Sequence, residues 1–103
     1  MDQDHIEKWR GELESFRQKL GNIHYTELIK FAESLGRSKR KASTKHPMYE
    51  SCLTGRRALS IPGHKGCLSK GTARSILDVL EGDIDAHEIQ HRQEVSGGAQ
   101  HGQ

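Results

Sequence analysis

The sequence predicts an α+β domain, a small sheet with helices packed on one face. Three observations carry this. Apolar residues recur at steps of three and four in three separate segments, the signature of amphipathic helices. Between the second and third of these the period changes to two, with Leu59 and Ile61 alternating with Ala58 and Ser60. Glycines stand where the patterns break, at Gly21, Gly36, Gly55, Gly63 and Gly82.

The first helix is set by Ile6, Trp9, Leu13, Phe16 and Leu20, which share one stripe. Asp2 and Asp4 sit at its positive end, and Gly21-Asn22 is the stop signal. A second helix follows from about His24 to Leu35, burying Leu28, Phe31, Ala32 and Leu35, with Gly36 as the left-handed residue after its end. Arg37 to Ser43 is strongly basic and fits only a polar edge strand. His46–Cys52 and Arg57–Ile61 then form a hairpin around Thr54-Gly55. A third helix begins near Ser69, with Ser69 or Thr72 as its N-cap, and Ala73, Ile76, Leu77 and Leu80 on its apolar face. Gly82 closes it. Past Ile84 the chain becomes polar, and residues 85–103 are expected to form a disordered tail. Residues 1–22 stand as an N-terminal helical extension, whose stripe either packs on the domain or docks a partner, and residues 23–84 form the domain proper. The order helix, weak strand, hairpin, helix is the α-β-β-β-α order of double-stranded-RNA-binding-like domains.

Composition narrows the function classes. The chain has 103 residues, 32% of them apolar, which leaves a small core and excludes a large multi-domain enzyme. It lacks a G-x-G-x-x-G, a secretory apolar region and any stretch able to span a membrane. Two cysteines do not make a disulfide framework, so both read as reduced and the expected location is the cytoplasm. The net charge of +2 hides an asymmetry: residues 37–74 hold ten Lys and Arg against the single acid Glu50, between two acidic flanks. Such a block is the footprint of a surface that meets phosphates.

Four stretches then form a pattern: ELIKFAESLG (27–36), KHPMY (45–49), GRRALSIPGH (55–64) and LSKGTARSIL (68–77). Together they resemble the HicA family of toxins, over about residues 24–84. In that family a helix ending in Leu-Gly leads into a strand and Gly-Ser-His opens the next. The hairpin ends in Pro-x-His, and Lys-Gly-Thr starts the last helix. The resemblance implies a double-stranded-RNA-binding-like fold and an mRNA-cleaving ribonuclease that needs no metal or other cofactor. It also implies a cognate HicB-type antitoxin as partner. The family's catalytic histidine falls on His46, ten positions after Gly36. Two features depart from the pattern. Thr44-Lys45 stands where the family has Gly-Ser, and the first strand has lost its apolar alternation.

The chemistry of such a site is simple. RNA carries its own nucleophile, the 2′-hydroxyl, so cleavage requires a proton acceptor, a proton donor and charge stabilisation. An unperturbed histidine titrates near pKa 6.5, which suits both transfers, and His46 is the candidate general acid or base. Lys45, Arg56 and Arg57 are placed to hold the scissile phosphate, with Lys39, Arg40 and Lys41 extending the same basic face. His64 and Lys65 lie in a glycine-flanked loop that is either a phosphate contact or an ordinary connector. Lys70 opens the final helix and completes the expected RNA-binding set. The rival reading is a module of the same fold that holds RNA without cutting it.

One literal motif points elsewhere. His87-Glu88-x-x-His91 matches the zinc-peptidase spacing, which puts two histidines one turn apart on a helix face. Its surroundings lack the apolar residues that would bury a helix, and Gly97 stands where a third histidine is wanted. The motif is therefore read as incidental, and no metal site is expected. Cys52 and Cys67 are too irregularly spaced for structural zinc.

Overall fold

Helix α1 (Gln3–Gln18) lays Ile6, Trp9 and Leu13 fully into the core, with Phe16 and Leu20 packed against its margin. Each such large side chain contributes about 1.5–3 kcal/mol when buried. The expected stripe is thus one continuous packing face, shared with the rest of the chain. The computed structural model describes residues 3–39, 48–61 and 66–100, with side chains described for 4–39, 48–61 and 66–93.

Helix α2 (Tyr25–Ser34) is fixed at both ends by local hydrogen bonds. His24 is its N-cap: the ring Nδ1 accepts from the Thr26 N–H, while Glu27 reaches back to the His24 N–H at 2.9 Å. This is a capping box with histidine in the place usually held by Ser or Thr. At the other end the Arg37 N–H donates to the Ala32 carbonyl and the Gly36 N–H to Glu33, both at 3.0 Å. Those two bonds make a Schellman turn, and Gly36 has the left-handed φ of +95° that the turn needs. A side chain there would also run into the Sγ of Cys52.

Three short strands follow: β1 (Ser38–Lys39), β2 (Met48–Glu50) and β3 (Leu59–Ser60), antiparallel in the order β1-β2-β3. Lys39 pairs with Tyr49, and Tyr49 pairs with Leu59, so these three share one sheet face. Tyr49, Leu59 and the following Ile61 are buried under the helices, whereas Lys39 lies beyond their cover and is exposed. The expected period of two over Leu59–Ile61 holds. The paired strands are shorter than the sequence suggests, with β3 covering only the middle of Arg57–Ile61.

Helix α3 (Lys70–Gln100) departs most from expectation. Ser69 caps its start, its Oγ accepting from the Thr72 N–H at 3.3 Å. The helix then passes through Gly82 without stopping and runs on over residues 85–100, where a disordered tail was expected. The physical reason lies in α1. The apolar stripe of α3 continues through Leu80 and Ile84 to the buried His87, and α1 covers it by running antiparallel alongside. Arg10 of α1 grips Asp85 and Glu88 at 2.9 and 2.7 Å, and Arg17 grips Asp78 and Glu81 at 2.9 and 2.8 Å. Both partner sets repeat at seven residues, two helical turns, which fixes the register of the pair. The first turn of the expected polar tail, Asp85 to Glu88, is thus the charged flank of a helix pair. Among the described residues, no helix is long and apolar enough to cross a membrane.

Two glycines give opposite expected outcomes on mutation. Gly11 is exposed in mid-helix with open space around it, so Gly11→Ala should stabilise by about 0.5–1 kcal/mol. Gly36→Ala should destabilise by about 1–3 kcal/mol through its positive φ and the Cys52 contact. Urea denaturation of both variants checks the pair. The Lys19 ammonium at 2.8 Å, with the His24 N–H, holds the Glu27 carboxyl below the usual carboxylate range. A depressed folded pKa contributes stability that is present above the unfolded value and is lost as pH falls through the folded one. Because the pair is well exposed, the share is small. Glu27→Gln should lower Tm by about 2–4 °C at pH 7 and by less at pH 3, read by circular dichroism.

Candidate nucleic-acid interface

The sequence-expected cations separate into three groups. Lys39 in β1 and Arg57 before β3 are both exposed. Lys39 stands on one outer strand and Arg57 two residues ahead of the other, on either side of β2. Lys70 is exposed at the first turn of α3, its aliphatic stem lying against Gly21, and Arg74 is exposed one turn further on. Lys70 lies thirteen residues from Asp83 along a continuous helix, roughly 20 Å. The sheet cations and the α3 cations stand on different elements of the fold. Arg40, Lys41, Lys45, His46, His64 and Lys65 lie outside the described residues.

Arg56 has a different task from the phosphate contact expected of it. Its Nε donates to Asp83 Oδ1 at 2.8 Å and its Nη2 donates to the Val79 carbonyl at 2.8 Å. The guanidinium lies flat against Gly82, where a Cβ would come within 2.7 Å of Nη2. Gly82 is thus a site of close approach inside the helix, not a stop.

Arg37, which reads as one more charge in a basic run, is buried with its side chain wholly shielded from solvent. It makes a two-pronged ion pair with Asp83, Nε to Oδ2 at 2.6 Å and Nη2 to Oδ1 at 2.9 Å. Its Nη1 donates to two backbone carbonyls, Tyr49 at 2.8 Å and Arg57 at 3.0 Å. Among the described residues, every buried side-chain nitrogen and oxygen has a partner. Asp83 itself was overlooked in the sequence. It left a signal, since an acid at the step between Leu80 and Ile84 falls on an apolar stripe and needs a buried cation to balance it.

The His-Glu-x-x-His segment resolves in the same manner. His87 turns inward: its Nε2–H donates to the Leu35 carbonyl at 2.6 Å, and its ring lies 4.9 Å from that of Trp9. Nε2 therefore carries the proton and closes the C-terminal end of α2. Glu88 is held by Arg10. Among the described residues, no group of three or more His, Cys, Asp or Glu is arranged to hold a metal ion. Cys52 and Cys67 are free, exposed thiols. Burial beneath the helices pushes the Tyr49 phenol up from its ordinary value.

A groove of about 380 Å³ lies between α1 and α2, floored by Phe16 and Phe31. Its rim charges Lys19 and Glu27 are satisfied by each other. Comparison of the chain with models of protein families, with curated proteins and with solved structures gives no match.

The two histidines of the zinc-like segment should behave unequally. His87→Ala removes a buried ring and leaves the Leu35 carbonyl without its donor, so it should destabilise by about 2–4 kcal/mol. His91→Ala, at a half-exposed position, should change stability by less than about 0.5 kcal/mol. Chemical denaturation with and without added zinc checks this, since a zinc pair would require both histidines equally.

Proposed function

We propose that this chain is an endoribonuclease toxin of the HicA type. It binds mRNA through the basic face, cleaves it without metal, acts in the cytoplasm and is held silent by a HicB-type antitoxin. The observation that carries the RNA reading is the position of Lys39 and Arg57. Both are exposed at the sheet, within a stretch that holds ten basic residues and one acid. The α-β-β-β-α order formed by α2, the sheet and α3 accords with the same reading. The four quoted stretches supply the step from binding to cleavage, through His46.

In the reaction, the 2′-oxygen attacks the adjacent phosphorus as its proton passes to a base, and the 5′-oxygen leaves with a proton. A 2′,3′-cyclic phosphate and a free 5′-hydroxyl result. His46 serves as base or acid in that exchange, worth about 10²–10⁴-fold in rate. Lys45 and Arg57 offset the charge that grows on the phosphate.

A non-catalytic RNA-binding module is the second reading, and one observation favours it. Arg56, expected at the scissile phosphate, is engaged by Asp83 and the Val79 carbonyl.

Labelled mRNA incubated with the protein in EDTA separates these readings. Fragments from wild type and none from His46→Ala support the metal-free ribonuclease. Intact RNA with both proteins, but a mobility shift that weakens steeply with salt, supports the module. A salt-insensitive interaction, or none, overturns both.

A further inference from the structure

We propose that the buried cluster of Arg37, Asp83 and Arg56 is a positioning device for the two exposed cations that flank the sheet. The inference rests on the RNA-binding reading above and assigns to these three residues the task of fixing where Lys39 and Arg57 stand. One nitrogen, Arg37 Nη1, donates both to the Tyr49 carbonyl and to the Arg57 carbonyl. Tyr49 is the strand partner of Lys39. The backbone beside one exposed cation and the backbone of the other are therefore tied to the same guanidinium.

Arg57 is held from a second side as well. Its neighbour Arg56 is anchored on α3, through Asp83 and the Val79 carbonyl. Asp83 receives three of these N–H donors on its two oxygens. It sits on α3 between Glu81 and Asp85, the residues gripped by Arg17 and Arg10 of α1. The cluster is therefore rooted in the α1–α3 helix pair and reaches the sheet through Arg37 and Arg56.

Stability alone does not account for this arrangement. A buried ion pair contributes little net stability compared with apolar residues of the same volume. Here two cations share one anion, which is a further step from that optimum. What the cluster does supply is direction: planar guanidinium forks fix angles as well as distances. Fixed roots reduce the ordering that Lys39 and Arg57 must undergo when they meet an anion.

The test exploits a difference in sign. Asp83→Asn preserves shape and raises the net charge by one, so electrostatics alone makes RNA binding tighter. Positioning makes it weaker, by about fivefold to tenfold. Affinity for a labelled single-stranded RNA is measured across a salt series for wild type, Asp83→Asn, Arg56→Gln and Arg57→Ala. Leu13→Ala is the control for general destabilisation, and circular dichroism checks the fold of each. Arg57→Ala should reduce the salt slope by about 0.7, the loss of one phosphate contact. Asp83→Asn and Arg56→Gln should weaken binding with the slope unchanged. Arg56→Gln leaves the Arg37–Asp83 pair intact and covers the case in which Asp83→Asn does not fold.

Hydrogen exchange over residues 48–60 gives a readout independent of RNA. Faster exchange there in Asp83→Asn, beyond that in Leu13→Ala, is expected. Equal or tighter RNA binding by Asp83→Asn, a slope loss in Arg56→Gln, or unchanged exchange over 48–60 overturns the proposal. If wild type itself fails to bind RNA while exchange still accelerates in Asp83→Asn, the binding reading fails and the tie to the sheet stands.

Discussion

The carboxylate of Asp83, fully buried with a guanidinium on each oxygen, is the interaction on which the architecture turns. An isolated carboxylate in such a place would be untenable, and removing one member of a buried pair typically costs about 3–5 kcal/mol. Each partner in turn constrains the chain. Arg37 must follow directly on the Schellman turn of α2, which requires Gly36 and its left-handed φ. Arg56 must lie against the backbone of α3, which requires Gly82. Two glycines and three charged residues from α2, the sheet margin and α3 therefore form one set, in which altering any member disturbs the rest.

The α1–α3 pair is what lets α3 serve as the anchor. A helix of this length with a largely polar surface has little reason to persist alone, because most helical stability in proteins comes from packing. α1 provides Ile6, Trp9 and Leu13 along one side, and its two arginines fasten the register at intervals of two turns. The pairing also raises the pKa of Arg10, chiefly through the hydrogen bonds it donates to Asp85 and Glu88, which act on a group that is charged in any case. These are exposed pairs, individually worth little. Their role is to choose one alignment among several that the apolar stripes alone would permit.

Much of this was legible in the sequence where the signals are local. The stripe of α1, the buried face of α2, the turn at Gly36, the alternation at Leu59–Ile61 and the cap at Ser69 each depend on residues a few positions apart. The features that escaped depend on distant partners. Gly82 carries the signature of a helix stop, and only the arrival of Arg56, twenty-six residues earlier, makes it a site of close approach. Residues 85–93 look like solvated tail until Arg10 and Trp9 are set beside them. Arg37 lies in a run of basic residues, and nothing within that run marks it as the one that turns inward. The His24 cap escaped for a different reason, since histidine is an uncommon acceptor at that position and Glu27 alone is weak as a signal.

The same contrast governs what the basic block can do. Formal charge counts Arg37 and Arg56 with the others, yet Asp83 binds both, so neither adds a free arm to the face. The cations left exposed among the described residues of the block are Lys39 and Arg57 at the sheet and Lys70 and Arg74 at the start of α3. Lys70 and Arg74 stand roughly 20 and 14 Å along the α3 axis from Asp83. Under the proposed RNA reading, a chain of phosphates meets the sheet cations and the α3 cations in turn, and each contact releases counterions. Arg57 alone among these four exposed cations is held through its own carbonyl by the buried cluster, so its backbone is fixed where the others are not tied to Asp83.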